Sequence, residues 1–419
     1  MNILPVLLTL NSFSAASPPN IAITSWQNAA VFSVPTEDDS KVKAIIEGYL
    51  KELKSKGFNP AEQGLVIESQ WGQLANVKAD EPISAASLTK IVTTLAAIEK
   101  LGLDHQFTTT VQHTGQFKNG VLEGDLVIVG DRDPLFTWEE AISLASALQK
   151  LGIKKIQGNL LIVGNFYMNF QTNTKISGDN LKKSFNWHLW PHPLLTQYNS
   201  NPAKKLYKPA LVVQGQVKVL PAIPPDSKLI LRHKSLPLLA IIKQMNIYSN
   251  NYIAQILADS VGGINVVVQT VESLAQISPK EIQLVNGSGL GDKNRISPYA
   301  ICQIWSTLEK FLAGQSLKIA DLFPVSGVDK EGTLRRRHIP AGIPMKTGTL
   351  NSVSALAGVI PTQENGPVCF AILNHGNGIA QLRHEQDLVL QRLSKHWQIL
   401  VDHNLKPVKP FLGDPTRNI

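Results

Sequence analysis

The sequence predicts an α+β fold in which an antiparallel sheet flanked by helices is interrupted by an inserted β-rich domain. Strand-like segments lie near both chain ends, "GLVIESQWGQLANV" early and "GIPMKTGTL", "VSALAGVIP" and "PVCFAIL" late, so both ends can share one sheet. The segment between them, about residues 104–232, is mostly strand-like. Consecutive βαβ units are not evident, which argues against a doubly wound sheet.

Local patterns justify each element in turn. The helix that follows Ser87 is apolar nearly all round and ends at Gly102, which indicates a buried helix. Residues 171–208 are rich in Asn, Pro and Trp and lack periodicity, so we expect a loop there. The other expected elements are an amphipathic helix over 38–56, two strands around Trp71 and Gly72, helices over 235–275, three antiparallel strands after 342 and a final helix over roughly 378–398.

The predicted organisation has four parts: a leader over 1–30, a main domain from 31–103 and 233–400, the inserted domain over 104–232, and a tail over 401–419. In the leader, "ILPVLLTLNSFSAAS" joins an apolar run to small residues, as a signal peptide does, although no Lys or Arg precedes it. We therefore expect a periplasmic or otherwise extracytoplasmic protein. No other segment reaches the roughly 18 apolar residues that a membrane span needs.

Composition limits the partners. The 419 residues are 43% hydrophobic and 17% charged, which are values of a globular protein. The formal charge of +8 suits an anionic polymer, either nucleic acid or cell wall. Because the basic residues are scattered rather than interleaved with aromatic residues, we expect no nucleic-acid partner.

Histidine and cysteine patterns give no metal signature. The ten histidines form no ligand spacing, so we expect neither a metal nor a cofactor. The two cysteines cannot form a disulfide framework. Cys302 lies in an apolar helical stretch and Cys369 in a strand, and we expect both to be buried packing residues of undetermined redox state.

Ser87 begins the buried helix and precedes Lys90 by three residues, a spacing that places both on one helix face. A buried lysine of lowered pKa can accept a proton from a neighbouring hydroxyl. The alternative is that Ser87 only caps the helix and Lys90 extends to water. The S-x-x-K pattern alone does not decide, because Ser40 and Lys43 also match it in a predicted surface helix.

Two further motifs favour the functional interpretation. K-T-G occurs once, at 346–348 on a predicted strand. S-x-N occurs at 184–186 and at 249–251, and we select the second because it lies between helical segments. S-x-x-K, S-x-N and K-T-G in this order are the signature of penicillin-recognising serine enzymes.

With these motifs the sequence resembles the DacB-type D-alanyl-D-alanine carboxypeptidase/endopeptidases, class C low-molecular-mass penicillin-binding proteins with a domain inserted after the active serine. The resemblance covers roughly residues 60–395 and includes "LEGDLVIVGDRDPLF", "NGSGLGDKNRISP" and "GVDKEGTLRRR", which separate this family from β-lactamases. It implies that the main domain has the penicillin-binding/β-lactamase-like transpeptidase fold. It also implies a serine D,D-peptidase of peptidoglycan that acts through an acyl-enzyme at Ser87 and is inhibited covalently by β-lactam antibiotics.

The resemblance also assigns roles to residues. Lys90 would take the Ser87 proton, with its pKa lowered by burial and by the positive charge of Lys346. Backbone N–H groups of Ser87 and Thr349 would form the oxyanion hole. Arg295 would bind the peptide stem, or alternatively form a structural ion pair. The expected catalytic residues are Ser87, Lys90, Ser249, Asn251 and Lys346, and the expected substrate-binding residues are Thr347, Gly348, Thr349 and Arg295.

Some positions depart from the family pattern, and other functions stay open. Asn286 stands where the family usually has Asp, Ala85 where it has Pro, and residues 171–208 barely follow the family pattern.

One alternative function is a catalytically silent protein that binds peptidoglycan peptides in the same cleft. Another is a β-lactamase or esterase on the same scaffold, although the E-x-x-L-N motif of class A β-lactamases is missing. The sequence does not decide between carboxypeptidase and endopeptidase action. We expect the insertion to orient the polymer.

Overall fold

The computed structural model describes residues 39–200, 207–363 and 365–419. The predicted leader lies outside the described residues, and the limits of the predicted domains stay predictions. The helices are α1 Ser40–Ser55, α2 Thr89–Leu101, α3 Trp138–Lys150, α4 Thr174–Ser184, α5 His192–Ser200, α6 Leu238–Tyr248, α7 Asn251–Ser260, α8 Ile264–Ala275, α9 Pro298–Ala313, α10 Ile319–Leu322 and α11 Ile379–Trp397.

Short 3-10 turns occupy Pro60–Glu62, Ala86–Leu88, Trp187–Leu189, Gly332–Leu334 and Pro415–Arg417. The strands are β1 Gln63–Ser69, β2 Gly72–Val77, β3 Ile83–Ser84, β4 Thr108–His113, β5 Gln116–Lys118, β6 Val121–Glu123, β7 Leu126–Asp131, β8 Lys155–Ile156, β9 Leu160–Asn165, β10 Val212–Val213, β11 Val217–Leu220, β12 Lys228–Lys234, β13 Ile282–Gln283, β14 Arg295–Ile296, β15 Met345–Leu350, β16 Val353–Pro361 and β17 Pro367–His375.

The main sheet is antiparallel and has the order β15-β16-β17-β1-β2. Early strand β1 pairs with late strand β17, so both parts of the chain share one sheet, as predicted. Successive β1 side chains point to opposite faces. Val66 packs into a core with α2 and α6–α9, whereas Leu65 and Ile67 pack into a second core with α1 and α11. The sheet therefore lies between two helical layers.

A disulfide joins Cys302 of α9 to Cys369 of β17, with a Cα–Cα distance of 5.8 Å. The expectation of two separate packing residues was therefore wrong. Helix α9 packs on the main sheet and brings the two thiols together although they are 67 residues apart in sequence. A tertiary contact of this range leaves no local pattern in the sequence.

Residues 108–234 build a second sheet with the order β11-β9-β7-β4-β12. Strands β7, β9 and β11 are parallel, with α3 between the first two and α4 and α5 between the last two. The expectation that the chain lacks consecutive βαβ units was therefore wrong for this segment. Parallel strands need a crossover connection, and here helices supply it.

Residues 171–208 are also more regular than expected, because α4, a 3-10 turn and α5 occupy most of this range. The loop prediction was wrong because α4 buries small and polar side chains and therefore has little apolar periodicity. Gly178 shows why: a Cβ there would lie 2.7 Å from Val217 and 2.8 Å from Ile162, so only glycine lets the helix approach the sheet this closely.

The predicted C-terminal tail ends on the second sheet. The backbones of Ile419 and Arg232, the latter on β12, exchange two hydrogen bonds of 2.6 and 2.8 Å. Arg417 donates to the Glu140 carboxylate of α3 at 2.5 Å. None of the helices in the described part of the chain has the length and apolarity needed to span a membrane.

Candidate active site

Ser87 lies in the 3-10 turn Ala86–Leu88 that leads into α2. Leu88 is the N-cap of that helix, and no side chain caps it, so Ser87 is not a helix cap. Ala86 has a φ of +45°, a conformation unusual for a residue with a Cβ. Gly289 packs directly against this turn, because a Cβ at Gly289 would lie 1.8 Å from the Ala86 carbonyl oxygen. The nucleophile candidate therefore stands on a strained turn that a glycine contact holds in place.

Lys90 is fully buried, and its ammonium group does not extend to water as the alternative interpretation required. Its Nζ lies 3.0 Å from Ser87 Oγ, 2.8 Å from Asn251 Oδ1 and 2.7 Å from the Ser288 carbonyl oxygen. Two of these three neighbours are carbonyl oxygens that can only accept hydrogen bonds. The third is the Ser87 hydroxyl.

Burial lowers the pKa of Lys90 to about 7, so the neutral amine is well populated near neutral pH. The pKa of Lys346 is also held well below its ordinary value, first by burial and then by the charge of Lys90. Burial is the cause of the lowered Lys90 pKa, whereas an additional contribution from the charge of Lys346 stays a prediction.

The residues Ser249, Asn250 and Asn251 connect α6 to α7. Ser249 ends α6 in the left-handed conformation, with a φ of 54°, and Asn250 caps α7 through hydrogen bonds to two backbone N–H groups. The connection aims Ser249 Oγ at Lys346 Nζ, 3.0 Å away, and Asn251 at Lys90. The other S-x-N occurrence lies elsewhere, with Ser184 buried in α4 and bonded to its own helix.

Strand β15 carries the K-T-G residues beside the Ser87 turn. Lys346 is fully buried and also donates to the Thr347 carbonyl oxygen at 2.8 Å. Gly348 permits a close approach, because a Cβ there would lie 2.8 Å from the Ala85 carbonyl oxygen. The geometry thus joins β15 directly to the residues before Ser87.

Three residues of this site were missed in the sequence. The Ser288 carbonyl oxygen accepts from Lys90, Thr333 and Thr347 hydroxyls lie 2.7 Å apart, and Arg383 donates to Thr349 Oγ1 at 2.7 Å. Ser288 and Thr333 belong to stretches that carry the family resemblance, which was the available signal. Arg383 lies on the final helix, where nothing in the local sequence pointed to the site.

Asn286, the departure from the family pattern, shapes the turn that holds Ser288. Its Oδ1 accepts from the backbone N–H groups of Ser288, Gly289 and Leu290 at 2.8–3.2 Å. An amide oxygen does this as a carboxylate would. Its Nδ2 donates to the Leu290 carbonyl oxygen at 2.8 Å, a bond that a carboxylate could not make.

Arg295 is exposed on β14, which pairs with the β3 residue Ser84. Within the described residues it forms no ion pair, so the structural alternative for Arg295 finds no support there. Among the same residues, no group of three or more His, Cys, Asp or Glu side chains lies close enough to hold a metal ion.

A family profile described as D-Ala-D-Ala carboxypeptidase 3 (S13) matches residues 53–180 and 198–396, which is most of the chain. The chain belongs to the S13 family. The predicted family and the predicted enzyme class, a serine-type D-Ala-D-Ala carboxypeptidase, are therefore confirmed.

Curated relatives agree with membership of the S13 family. The chain is 25% identical to the D-alanyl-D-alanine carboxypeptidase DacB of Haemophilus influenzae, over 86% of this chain and 93% of that protein. It is 24% identical to the carboxypeptidase DacB of Mycolicibacterium smegmatis, over 74% of each.

Solved structures show the same fold. The Bd0816 predatory endopeptidase of Bdellovibrio bacteriovorus superimposes with a TM-score of 0.70 at 24% identity, covering 84% of this chain and 98% of that one. Penicillin-binding protein 4 (dacB) of Haemophilus influenzae gives a TM-score of 0.61 at 21% identity, covering 83% and 98%. The predicted penicillin-binding fold is therefore confirmed.

Proposed function

We propose that this S13 peptidase cleaves D-Ala–D-Ala peptides of peptidoglycan through an acyl-enzyme at Ser87, with Lys90 as the general base. The contacts of Lys90 carry the proposal. A neutral amine has two N–H donors and one lone pair. The acceptor-only oxygens of Asn251 and Ser288 take the two donors, so the lone pair is left to face Ser87 Oγ, 3.0 Å away. This is the geometry a base needs to deprotonate the hydroxyl as it attacks.

Proton return and substrate binding fall to Ser249, Lys346 and β15. Ser249 Oγ is hydrogen-bonded to Lys346 and is assigned the transfer of a proton to the leaving amine. A substrate carboxylate beside Lys346 favours the protonated form of that lysine, and the protonated lysine then anchors the carboxylate. Thr347 and Thr349 offer hydroxyls along the same strand, and Arg383 adds a second cation next to Thr349.

The relatives support the polymer as the substrate. Bd3459 of Bdellovibrio bacteriovorus is described as a peptidoglycan endopeptidase, and one structure shows it acylated by penicillin G. By analogy we assign penicillin acylation of Ser87 to this chain and leave the choice between terminal cleavage and cross-link cleavage to experiment.

An extracytoplasmic location fits the same proposal. The disulfide between Cys302 and Cys369 is of a kind that persists in oxidising compartments and is rare in a reducing cytoplasm. The substrate polymer also lies outside the cytoplasmic membrane.

Incubation with labelled penicillin followed by peptide mass spectrometry tests the proposal, with D-alanine release from a D-Ala–D-Ala peptide followed in parallel. We expect one adduct, on Ser87, and its loss in Ser87→Ala at an unchanged melting temperature, because only a hydroxyl is removed. Ser184→Ala is the matched control and should keep the adduct. An adduct that persists in Ser87→Ala would refute the assignment. An adduct without D-alanine release would favour the silent binding protein or the β-lactamase.

A further inference from the structure

Strand β15 carries two threonine hydroxyls on the same face. Thr347 and Thr349 are two residues apart in this strand, and side chains at that spacing point to the same side. The proposed function assigns both hydroxyls to the binding of the substrate carboxylate. Because a carboxylate only accepts hydrogen bonds, each hydroxyl serves it only if its own proton is free to be donated.

Arg383 of α11 leaves the Thr349 proton free. Its Nη2 donates to Thr349 Oγ1 at 2.7 Å, and a guanidinium has no acceptor, so the direction of this hydrogen bond is fixed. A hydroxyl that accepts from Arg383 keeps its own proton for another partner. The exposed Thr349 side chain can therefore donate to a ligand.

The Thr347 hydroxyl has a comparable neighbour in Thr333. The two Oγ1 atoms lie 2.7 Å apart, so one hydroxyl donates to the other. When Thr347 is the donor, its proton is held inside the protein. When Thr333 is the donor, the Thr347 proton is free. A carboxylate beside Thr347 can accept only in the second arrangement, so substrate binding selects it.

The turn that carries Thr333 is fixed to the end of α6. Gly332 has a φ of +69°, and a Cβ there would lie 2.1 Å from the Ile247 carbonyl oxygen, so the turn touches the backbone of the helix. On the other side of this glycine, Tyr248 Oη donates to Glu331 Oε2 at 2.5 Å. Packing on α6 therefore holds the backbone of Thr333 in place, and removal of its hydroxyl is a local change.

We propose that Thr333 is a positioning residue for the substrate carboxylate: its hydroxyl donates to Thr347 Oγ1 and thereby directs the Thr347 proton to the substrate. This inference rests on the proposed function, in which β15 holds the carboxylate of a D-Ala–D-Ala peptide. Successive hydrogen bonds polarise one another, so the bond from Thr333 makes Thr347 a stronger donor than an isolated hydroxyl. Thr333 thus acts on Thr347 as Arg383 acts on Thr349.

The test measures kcat and KM of the full chain for two substrates. One is an N-acylated peptide that ends in D-Ala–D-Ala, and the other is its C-terminal amide, which lacks the carboxylate. Thr333→Val removes the hydroxyl at nearly constant volume. We expect KM for the acid to rise about fivefold, the effect of one hydrogen bond, and kcat to fall by less than about twofold. The preference in kcat/KM for the acid over the amide should fall by the same factor of about five.

Two further variants separate the hydroxyl from the fold. Thr333→Ser keeps the hydroxyl and should restore most of the KM for the acid. Thr114→Val is the matched control, because Thr114 is a half-buried threonine between β4 and β5 whose Oγ1 accepts from the Asp125 backbone N–H at 3.0 Å. This control should leave kcat and KM for both substrates unchanged.

A double-mutant cycle shows whether Thr333 acts through Thr347. Once Thr347→Val has removed the donor to the carboxylate, adding Thr333→Val should raise KM by less than about twofold. Single effects that multiply in the double variant would overturn the proposal. So would equal losses on acid and amide in Thr333→Val, or a Thr333→Ser variant as weak as Thr333→Val.

The wild-type protein gives a check that does not depend on the fold of a variant, since it should prefer the acid to the amide. Equal kcat/KM for the two substrates would overturn the proposal. A missing Ser87 adduct in the wild type would refute the proposed function and this inference with it. A normal Ser87 adduct together with wild-type kinetics in Thr333→Val would refute this inference alone.

Discussion

At the scale of single residues, the two buried lysines Lys90 and Lys346 determine how the acylation rate depends on pH. The pKa of Lys90 falls to about 7 through burial. The pKa of Lys346 is held well below its ordinary value, first by burial and then by the charge of Lys90. The base form of Lys90 therefore appears as the pH rises through about 7.

We therefore expect the rate of penicillin acylation to rise with pH to a plateau, with a midpoint near the Lys90 pKa of about 7. Lys346→Ala should slow acylation at least about tenfold, because carboxylate anchoring is lost, yet leave the midpoint in place, because burial is what lowers the Lys90 pKa. Stopped-flow acylation between pH 5.5 and 9 measures both quantities. A midpoint that moves upward by a full unit in Lys346→Ala would show that a charged Lys346 lowers the pKa of Lys90.

At the scale of elements, the site depends on turns whose backbones touch. The 3-10 turn that carries Ser87 contacts the turn after β13, because Gly289 of that second turn packs against Ala86. Within the second turn, Asn286 Oδ1 accepts hydrogen bonds from backbone N–H groups. The same turn supplies the Ser288 carbonyl oxygen to Lys90. A small change in this second turn therefore moves both the nucleophile and its base.

Gly289→Ala tests this coupling against Gly291→Ala. Both glycines have positive φ, +80° and +95°, so both substitutions carry a similar conformational cost of about 1 kcal/mol. Only the first puts a Cβ into the Ala86 carbonyl, since nothing lies within 4 Å at Gly291. We expect Gly289→Ala to slow acylation by a factor of about 100. Gly291→Ala should lower the stability of the protein without slowing acylation. Similar acylation rates for the two variants would contradict the coupling.

At the scale of the whole molecule, the C-terminal tail is tied to the second sheet through a buried ion pair. Arg417 donates to Glu140, and Gly413 donates its backbone N–H to the same carboxylate oxygen at 3.1 Å. The pKa of Glu140 is raised by burial, and Arg417 opposes that rise. Removing the cation would leave a buried carboxylate without its main partner.

Arg417→Met should reduce the free energy of unfolding by about 3 kcal/mol at pH 8. The loss should be smaller at pH 5, because the raised pKa of Glu140 then lets the buried acid take up a proton in the folded state. Denaturant unfolding at both pH values measures this. Lys318→Met, which breaks the exposed pair with Asp402, is the control and should cost less than about 1 kcal/mol. Equal losses in the two variants would show that the tail is held by other contacts.

Much of this arrangement was predictable from local patterns. The helix after Ser87, the three late strands and the final helix follow from apolar periodicity, which reflects the face that each element buries. The motifs containing Ser87, Ser249 and Lys346 were identified because the chemistry requires those residue types in that order. Ser249 was preferred over Ser184 by its helical surroundings, and the structure brings Ser249 to Lys346.

Tertiary structure alone decided the rest, because the deciding contacts join residues far apart in sequence. The disulfide depends on α9 packing against β17, and the Arg383 contact depends on α11 packing beside β15. Helix α4 left no apolar stripe, since small residues let it approach the second sheet. The lowered pKa values of Lys90 and Lys346 depend on how deeply each side chain is buried, which is a property of the packed core and not of the motif.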